Sequence, residues 1–364
     1  MRGMMKKVAV AVGLCWVVAS AAPEVEFSGY LDADVWADMT GNYFANSELD
    51  LGMGLKFSDK VAAHVYATVW SIYDMASPGS IPAGYGSPSG RWLNMKFDGF
   101  DITFETGAGT FAVGDLVYQY GKFNYYLYKR LSMITNESFS RGLQYTIGAG
   151  IFTQQVLLGV SDLGDTKTDV QGVSKLAFSD ALSLDLYYGM QNDATMDFKT
   201  GSDAYIGAEF LGSFGDILAL KFDVGYKSLA GAERSNVVSV LLEPTLTVGS
   251  FSTALTAFYM SDGDENANGG DMLGIMDEMF FYVEPGYSFT DNFAAGLPIE
   301  YHAKDLEDEK DNEVWMVPTL YIYPFENVQW WLWGQFAFPT TDKDIIGEDR
   351  KPYFGAGSEI IVEF

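Results

Sequence analysis

Two histidines, one cysteine and a large surplus of carboxylates are the residues from which any chemistry would have to be built. His64 and His302 lie far apart in the sequence, and neither belongs to a metal-ligand spacing, so each reads as a wall or rim residue. No serine stands in a motif that pairs it with a histidine. The Gly-rich tracts lack phosphate-loop spacing. Acidic residues are so numerous that no pair stands out as an acid–base couple. These readings argue against an enzyme and against a cofactor. One stretch places oxygen donors at alternating positions, Asp262, Asp264, Asn266, Asn268 and Asp271. That pattern suits Ca²⁺, but the terminal bidentate Glu of an EF-hand loop is missing, and a hydrated acidic loop is the plainer reading.

Composition narrows the partners. The 364 residues are 48% hydrophobic, 15% aromatic and 20% charged, with a formal net charge of −27. Nucleic acid is excluded as a partner, because phosphate binding needs clustered Lys and Arg. No run of about 18 apolar residues is present to span a membrane as a helix. The start of the chain reads as a signal peptide over residues 1–21, leaving a single domain over residues 22–364. Arg2, Lys6 and Lys7 precede a short apolar core, Val8 to Val18, and Ala19-Ser20-Ala21 satisfies the small-residue rule for cleavage. Cys15 would leave with that segment. Leu14 stands where a lipoprotein box wants a small residue, and the mature chain would have no thiol chemistry.

The elements that must position the acids are strands. From Val25 to Ala37, odd positions are apolar or small, while Glu26, Ser28, Tyr30, Asp32, Asp34 and Trp36 face the other way. Leu49 to Phe57 and Val61 to Trp70 alternate in the same manner around Ser58-Asp59-Lys60. Trp92 to Glu105 shifts phase near Asp98-Gly99, as a bulge would cause. Tight turns recur down the chain, from Gly107-Ala108-Gly109 to Phe325-Glu326-Asn327, and alternate strictly with long polar or Gly-rich connections. The reading is all-β, an antiparallel up-and-down barrel of about 18 strands. Pro244, Pro285, Pro298 and Pro318 fall inside the runs and leave 16 strands as the alternative. A soluble sandwich would show a similar alternation.

The last strand, Tyr353 to Phe364, puts Phe354, Ala356, Ser358, Ile360, Val362 and Phe364 on one face. It resembles the closing strand of Gram-negative outer-membrane β-barrel proteins of the porin type. In that group, Ile360, Val362 and the terminal Phe364 would be read by the barrel assembly machinery. The resemblance implies a transmembrane barrel in the cell outer membrane with both termini periplasmic, apolar side chains against lipid, and a homotrimer as one compatible assembly. The opposite face would then line a lumen with Asp32, Asp34, Glu48, Asp50, Asp101, Asp185, Asp223, Glu243, Glu284 and Glu359, together with Glu26, Glu105 and Glu300. Lys56, Lys96, Lys175, Lys221 and Lys227 are the fewer cations opposing them.

The connection Gln119–Ser138 differs from the rest. It carries Phe123, Tyr125, Tyr126, Leu127 and Tyr128 beside Lys122, Lys129 and Arg130. In general and sugar porins the third long loop folds inward, so the resemblance makes Lys122, Phe123, Tyr125, Tyr126, Lys129 and Arg130 a constriction. The acidic loop motif of enterobacterial porins is absent, and packing on the rim is the alternative. The expected function is a channel for small hydrophilic solutes, with a preference for cations because rings of acids concentrate them. A surface adhesin or polysaccharide-binding protein, or a sugar-selective porin, is the competing reading, since Trp36, Tyr66, Trp70 and Trp92 offer stacking faces for sugars.

Overall fold

The computed structural model describes residues 23–39, 41, 43–74, 90–118, 120, 123–125, 138–161, 167–192, 202–228, 236–262, 278–303, 306, 312–342 and 349–364. They form one closed antiparallel barrel of 18 strands. The first nine are β1 (Glu24–Asp38), β2 (Tyr43–Ser58), β3 (Val61–Asp74), β4 (Gly90–Thr106), β5 (Gly109–Tyr118), β6 (Ser138–Ala149), β7 (Phe152–Ser161), β8 (Lys167–Ser179) and β9 (Leu182–Asn192). Next come β10 (Ser202–Phe214), β11 (Leu218–Ser228), β12 (Asn236–Val248), β13 (Phe251–Asp262) and β14 (Glu278–Thr290). Two strands are in two pieces each: β15 (Phe293–Gly296 and Ile299–Ala303) and β16 (Glu313–Met316 and Thr319–Phe325). β17 (Val328–Pro339) and β18 (Tyr353–Glu363) complete the wall.

Each strand pairs with its sequence neighbours, and β1 closes the cylinder on β18 from Tyr30↔Glu363 to Asp38↔Gly355. Closure leaves no strand edge unpaired, which is the condition for backbone in a hydrocarbon layer. Both described ends, Pro23 and Phe364, lie at the end of the cylinder where the short turns are. Those turns are two or three residues long, and Gly150, Gly215 and Gly249 supply the left-handed φ of 61°, 63° and 60° there. Strand lengths run from 10 residues in β5 to 17 in β4. Several strands thus exceed the run of about ten that a tilted crossing needs, and the wall on the β1–β4 side is the taller.

Alternation decides the two faces. Val25, Phe27, Val35, Met95, Phe97, Ile206, Leu242, Val248, Phe281 and Ile360 are exposed on the outer surface, a contiguous apolar band around the barrel. The phase shift read near Asp98-Gly99 is a bulge: Tyr66 pairs with Gly99 and the next residue, Ala67, with Phe97. An ion pair interrupts the outer face. Asp115 and Arg141 are cross-strand partners with the parity of Val113 and Leu143, and Arg141 Nε and Nη2 donate to the two Asp115 oxygens at 2.6 and 3.0 Å. Bidentate pairing is the form in which a charge is best tolerated away from water.

The prolines do not reduce the strand count. Pro285, Pro298 and Pro318 lie in a row across β14, β15 and β16, and their carbonyls accept from the N–H groups of Leu297, Val317 and Gly334 at 3.0, 2.8 and 3.0 Å. A proline lacks only the donor, so each row keeps one bond and pairing resumes beyond it. Pro244 leaves a gap in the β12–β13 ladder at Glu243 and Pro244, with the same register on either side. The count is therefore 18, not 16.

The closing strand packs as its pattern predicts. Ile360 and Phe364 are exposed on the outer face, and Val362 shares that face. Phe364 exchanges two backbone hydrogen bonds with Gly29, at 2.8 and 3.0 Å, and its ring lies where a side chain on residue 29 would stand.

Candidate lumen site

Acidic residues lie on strand positions that alternate with the exposed apolar ones. Asp32 faces Glu48, and Asp34 faces Glu359, as direct cross-strand partners. The Asn46 N–H also donates to Asp34 at 3.1 Å. Thr68 Oγ1 lies 2.6 Å from both Asp50 Oδ1 and Asp98 Oδ2, and Lys96 reaches Asp98 at 3.0 Å. Asp101 accepts from the His64 ring at 2.9 Å and from Tyr66 at 3.4 Å. His302 is buried elsewhere, edge-on to Phe280. The two histidines are wall residues on separate strands, β3 and β15.

From β8 to β12 the wall is a ladder of opposite charges. Lys175 lies 3.6 Å from Asp185, and Lys221 lies 3.4 Å from Glu209. Glu209 is the cross-strand partner of both Asp185 and Asp223, and Lys221 that of Glu243. Tyr187 donates to Asp223 at 2.9 Å. Here Lys221 is set between Glu209 and Glu243 and Lys175 beside Asp185, which lowers the cost of holding the carboxylates close together.

The chain between β5 and β6 enters this interior. Tyr120 packs on Ala112, Leu116 and Leu157 and stacks on Tyr187 with ring centroids 5.0 Å apart. Three residues later the chain is on a different part of the wall. Phe123, 6% exposed, is enclosed by Val237, Leu241, Ala254, Phe258, Met260, Phe280 and Tyr282 of β12 to β14. Its ring meets those of Phe258 and Phe280 edge-on at 4.9 and 5.1 Å. The acceptor that holds this turn is Glu243, 2% exposed. The Asn124 N–H donates to its oxygens at 3.0 and 3.2 Å, and the Tyr125 N–H at 3.3 Å. Thr256 Oγ1 sits 2.9 Å from Glu243 and 3.0 Å from the Tyr125 carbonyl, and Thr245 Oγ1 is 3.2 Å from the Tyr125 hydroxyl. These donors satisfy the oxygens of a carboxyl group that is buried from solvent. The gap in the β12–β13 ladder beside Glu243 is where the loop backbone attaches.

Tyr125 separates two cavities. The smaller, about 370 Å³, is bounded by Lys221, Glu243, the β8–β9 turn and the adjoining ends of β10 and β11. The larger, about 690 Å³, lies against β12 to β18. Its lining includes Tyr125, Tyr282, Trp315, Tyr321, Tyr323, Trp331 and Trp333, with the carboxylates Glu284 and Glu359 and, among the described residues, no Lys or Arg. Both Glu284 oxygens are occupied by phenols: Tyr282 donates at 2.7 Å and Tyr321 at 2.5 Å.

Of the residues singled out in the sequence, Phe123 and Tyr125 are thus brought to Glu243 and Glu284. Asp32, Asp34, Glu48, Asp50 and Asp101 lie on the wall of β1 to β4, and Asp185 and Asp223 on the charge ladder. Lys122, Tyr126, Lys129 and Arg130 lie outside the described residues, as do Asp264, Asn266, Asn268 and Asp271; Asp262 ends β13. Residues 1–21 are likewise outside them. The aromatic set on β16 and β17 was missed by sequence reasoning. Its signal was present as Trp315, Tyr321, Tyr323, Trp331 and Trp333 at period two, hidden because both faces of these strands carry aromatics.

No protein-family profile matches the sequence, and no curated protein matches it. Solved structures do. The outer-membrane protein opdK of Pseudomonas aeruginosa superposes with a TM-score of 0.59 at 10% identity, covering 94% of this chain and 99% of the other. A BenF-like porin of Pseudomonas fluorescens Pf-5 gives 0.61 at 10% identity, covering 94% and 98%. OpdK with vanillate gives 0.58 at 11% identity, covering 94% and 98%. The chain has the fold of the Gram-negative outer-membrane porins: a closed antiparallel barrel of 18 strands.

Proposed function

We propose that the protein is an outer-membrane channel for passive diffusion of small hydrophilic solutes, with a preference for cations. The observation that carries this reading is the lumen wall. Among the described residues carboxylates outnumber ammonium groups on it, and the larger cavity presents Glu284 and Glu359 with no basic side chain among its described lining residues. Charges of one sign in a water-filled passage concentrate the counter-ion. The porin fold and the outer apolar band support insertion in the outer membrane. The narrowing element is the loop Gln119–Ser138, with Phe123 and Tyr125 as its anchors and Lys122, Tyr126, Lys129 and Arg130 as further members. OpdK, whose structure with vanillate contains an aromatic carboxylate, offers the contrasting case: an acidic lumen disfavours such a solute.

Zero-current potentials across a KCl gradient test the selectivity. Cation preference should be strong in dilute KCl and fade at 1 M, where the Debye length falls from about 10 Å at 0.1 M to about 3 Å. Anion preference at low salt would show that Lys122, Lys129 and Arg130 dominate the narrowest point, and would reject the cation reading.

The assembly proposal follows from the C-terminal strand and includes the signal over residues 1–21, the barrel assembly machinery as partner and periplasmic termini. Deleting Phe364 removes a ring and two backbone bonds to Gly29. Secretion should persist while heat-modifiable, membrane-inserted protein falls. Unchanged membrane levels would count against Phe364 as an assembly signal.

A further inference from the structure

We propose that the larger lumen cavity is a binding subsite for small organic cations of the quaternary-ammonium class. The proposal rests on the channel reading above and adds a ligand to it. Four features of the cavity argue for this class. First, eight aromatic residues line one space of about 690 Å³: Tyr125 from the loop, Tyr282 and Tyr287 from β14, Trp315, Tyr321 and Tyr323 from β16, and Trp331 and Trp333 from β17. Aromatic faces carry negative charge density, and a methylated ammonium gains from several of them at once without needing hydrogen bonds.

Second, the rings are held in place. Tyr125 stacks on Tyr282 at 6.1 Å and 14°, and Tyr321 meets Trp331 edge-on at 5.5 Å and 88°. Rings already ordered lose little entropy when a ligand arrives. Third, Glu284 is aimed by its two phenol donors. The Tyr282 and Tyr321 protons are committed to that carboxylate, so these hydroxyls meet a solute as acceptors. Both oxygens keep a second lone pair for a cation. Fourth, among the described residues lining the space there is no Lys or Arg beside Glu284. An organic cation finds aromatic faces and a carboxylate together in this space.

The prolines of β14 to β16 add a structural reason for the cavity's place. Pro298 lines it, and Pro298 and Pro318 interrupt β15 and β16 beside it. The interruption divides the upper and lower parts of the same wall at the level where Tyr125 projects.

Choline is the probe. In planar bilayers in dilute KCl it should reduce the single-channel current in a concentration-dependent way. Glu284→Gln and Tyr321→Leu should each raise the half-blocking concentration about tenfold. Tyr321→Phe keeps the ring and should raise it less, which separates the aromatic face from the hydrogen bond. Asp216→Asn, the same charge change in a turn outside the lumen, should leave it within about twofold. Tryptophan fluorescence of the folded protein in detergent, titrated with choline, reads the same site without conduction. Cation preference with no choline block and no fluorescence response would overturn the subsite alone. Anion preference would overturn the channel's selectivity reading, and the fluorescence titration with Glu284→Gln would then decide the subsite by itself. Competition by maltotriose at lower concentration than choline would overturn the ligand class in favour of a neutral sugar. A response to choline that Glu284→Gln and both Tyr321 variants leave unchanged would overturn the location.

Discussion

The two flanks of Tyr125 build a polar lumen in opposite ways. On the β8–β12 flank, lysines and carboxylates interleave: Lys175 with Asp185, Lys221 with Glu209 and Glu243. On the β14–β18 flank, Arg350 reaches Glu313 at 2.8 Å, but at the cavity Glu284 is held by two tyrosine hydroxyls and no ammonium group is among the described lining residues. The first arrangement spends its charge within the wall. The second leaves negative charge facing the solute and surrounds it with rings. The difference teaches that net lumen charge is a coarse variable. A carboxylate beside a lysine contributes to rigidity, and a carboxylate beside phenols contributes a field.

The largest effect on this contrast should come from Phe123→Ala. The ring is enclosed by residues of β12 to β14 and anchors the divider between the flanks. Its loss should cost roughly 3–5 kcal/mol locally. The loop would detach, the two cavities would merge, and single-channel conductance would rise. Conductance unchanged within error would place Phe123 outside the permeation path.

Glu243→Gln comes next. The amide keeps an acceptor for the Asn124 and Tyr125 N–H groups but loses the charge, a change on the order of 1–3 kcal/mol at a buried acceptor. The expected readout is flickering between two conductance levels as the loop samples a detached state. A steady single level would show that Phe123 alone is sufficient.

Selectivity variants sharpen the comparison further. Lys221→Met should increase cation preference at low salt, because it leaves Glu209 and Glu243 without their ammonium neighbour. Glu284→Gln should reduce it, with a shift of the zero-current potential of a few millivolts that vanishes at 1 M KCl, where the Debye length is about 3 Å. Equal and opposite shifts would mean that the two flanks act as one field, and the distinction between them would fall. The smallest effect concerns the outer face. Arg141→Ala leaves Asp115 without its bidentate partner on a surface otherwise apolar, so thermal unfolding of the detergent-solubilised barrel should occur at a lower temperature. The lumen flanks should not change, and zero-current potentials check that.

Much of this was legible in residue order. Glu26, Asp32 and Asp34 alternate with Phe27, Leu31 and Val35, and only a strand turns that order into two faces. The bulge near Asp98-Gly99 and the outer placement of Ile360, Val362 and Phe364 follow from the same period-two rule. Strand number was legible up to the prolines. Whether Pro298 and Pro318 end a strand or merely interrupt it depends on the partner strands, whose N–H groups still find the proline carbonyls.

What period and composition determined, then, was the class of element, the facing of each acid and the short-turn and long-loop ends of the wall. These are local consequences of backbone geometry, fixed by residues adjacent in sequence. What only the tertiary structure decided was which acids meet which partners. Asp34 faces Glu359 because the last strand closes on the first. Glu243 holds the backbone of Asn124, more than a hundred residues away, because the loop enters the barrel there. Glu284 is gripped by Tyr321 because the interrupted strands keep their register across the prolines. Such contacts depend on closure and on the path of a loop through the interior, and no local pattern encodes either.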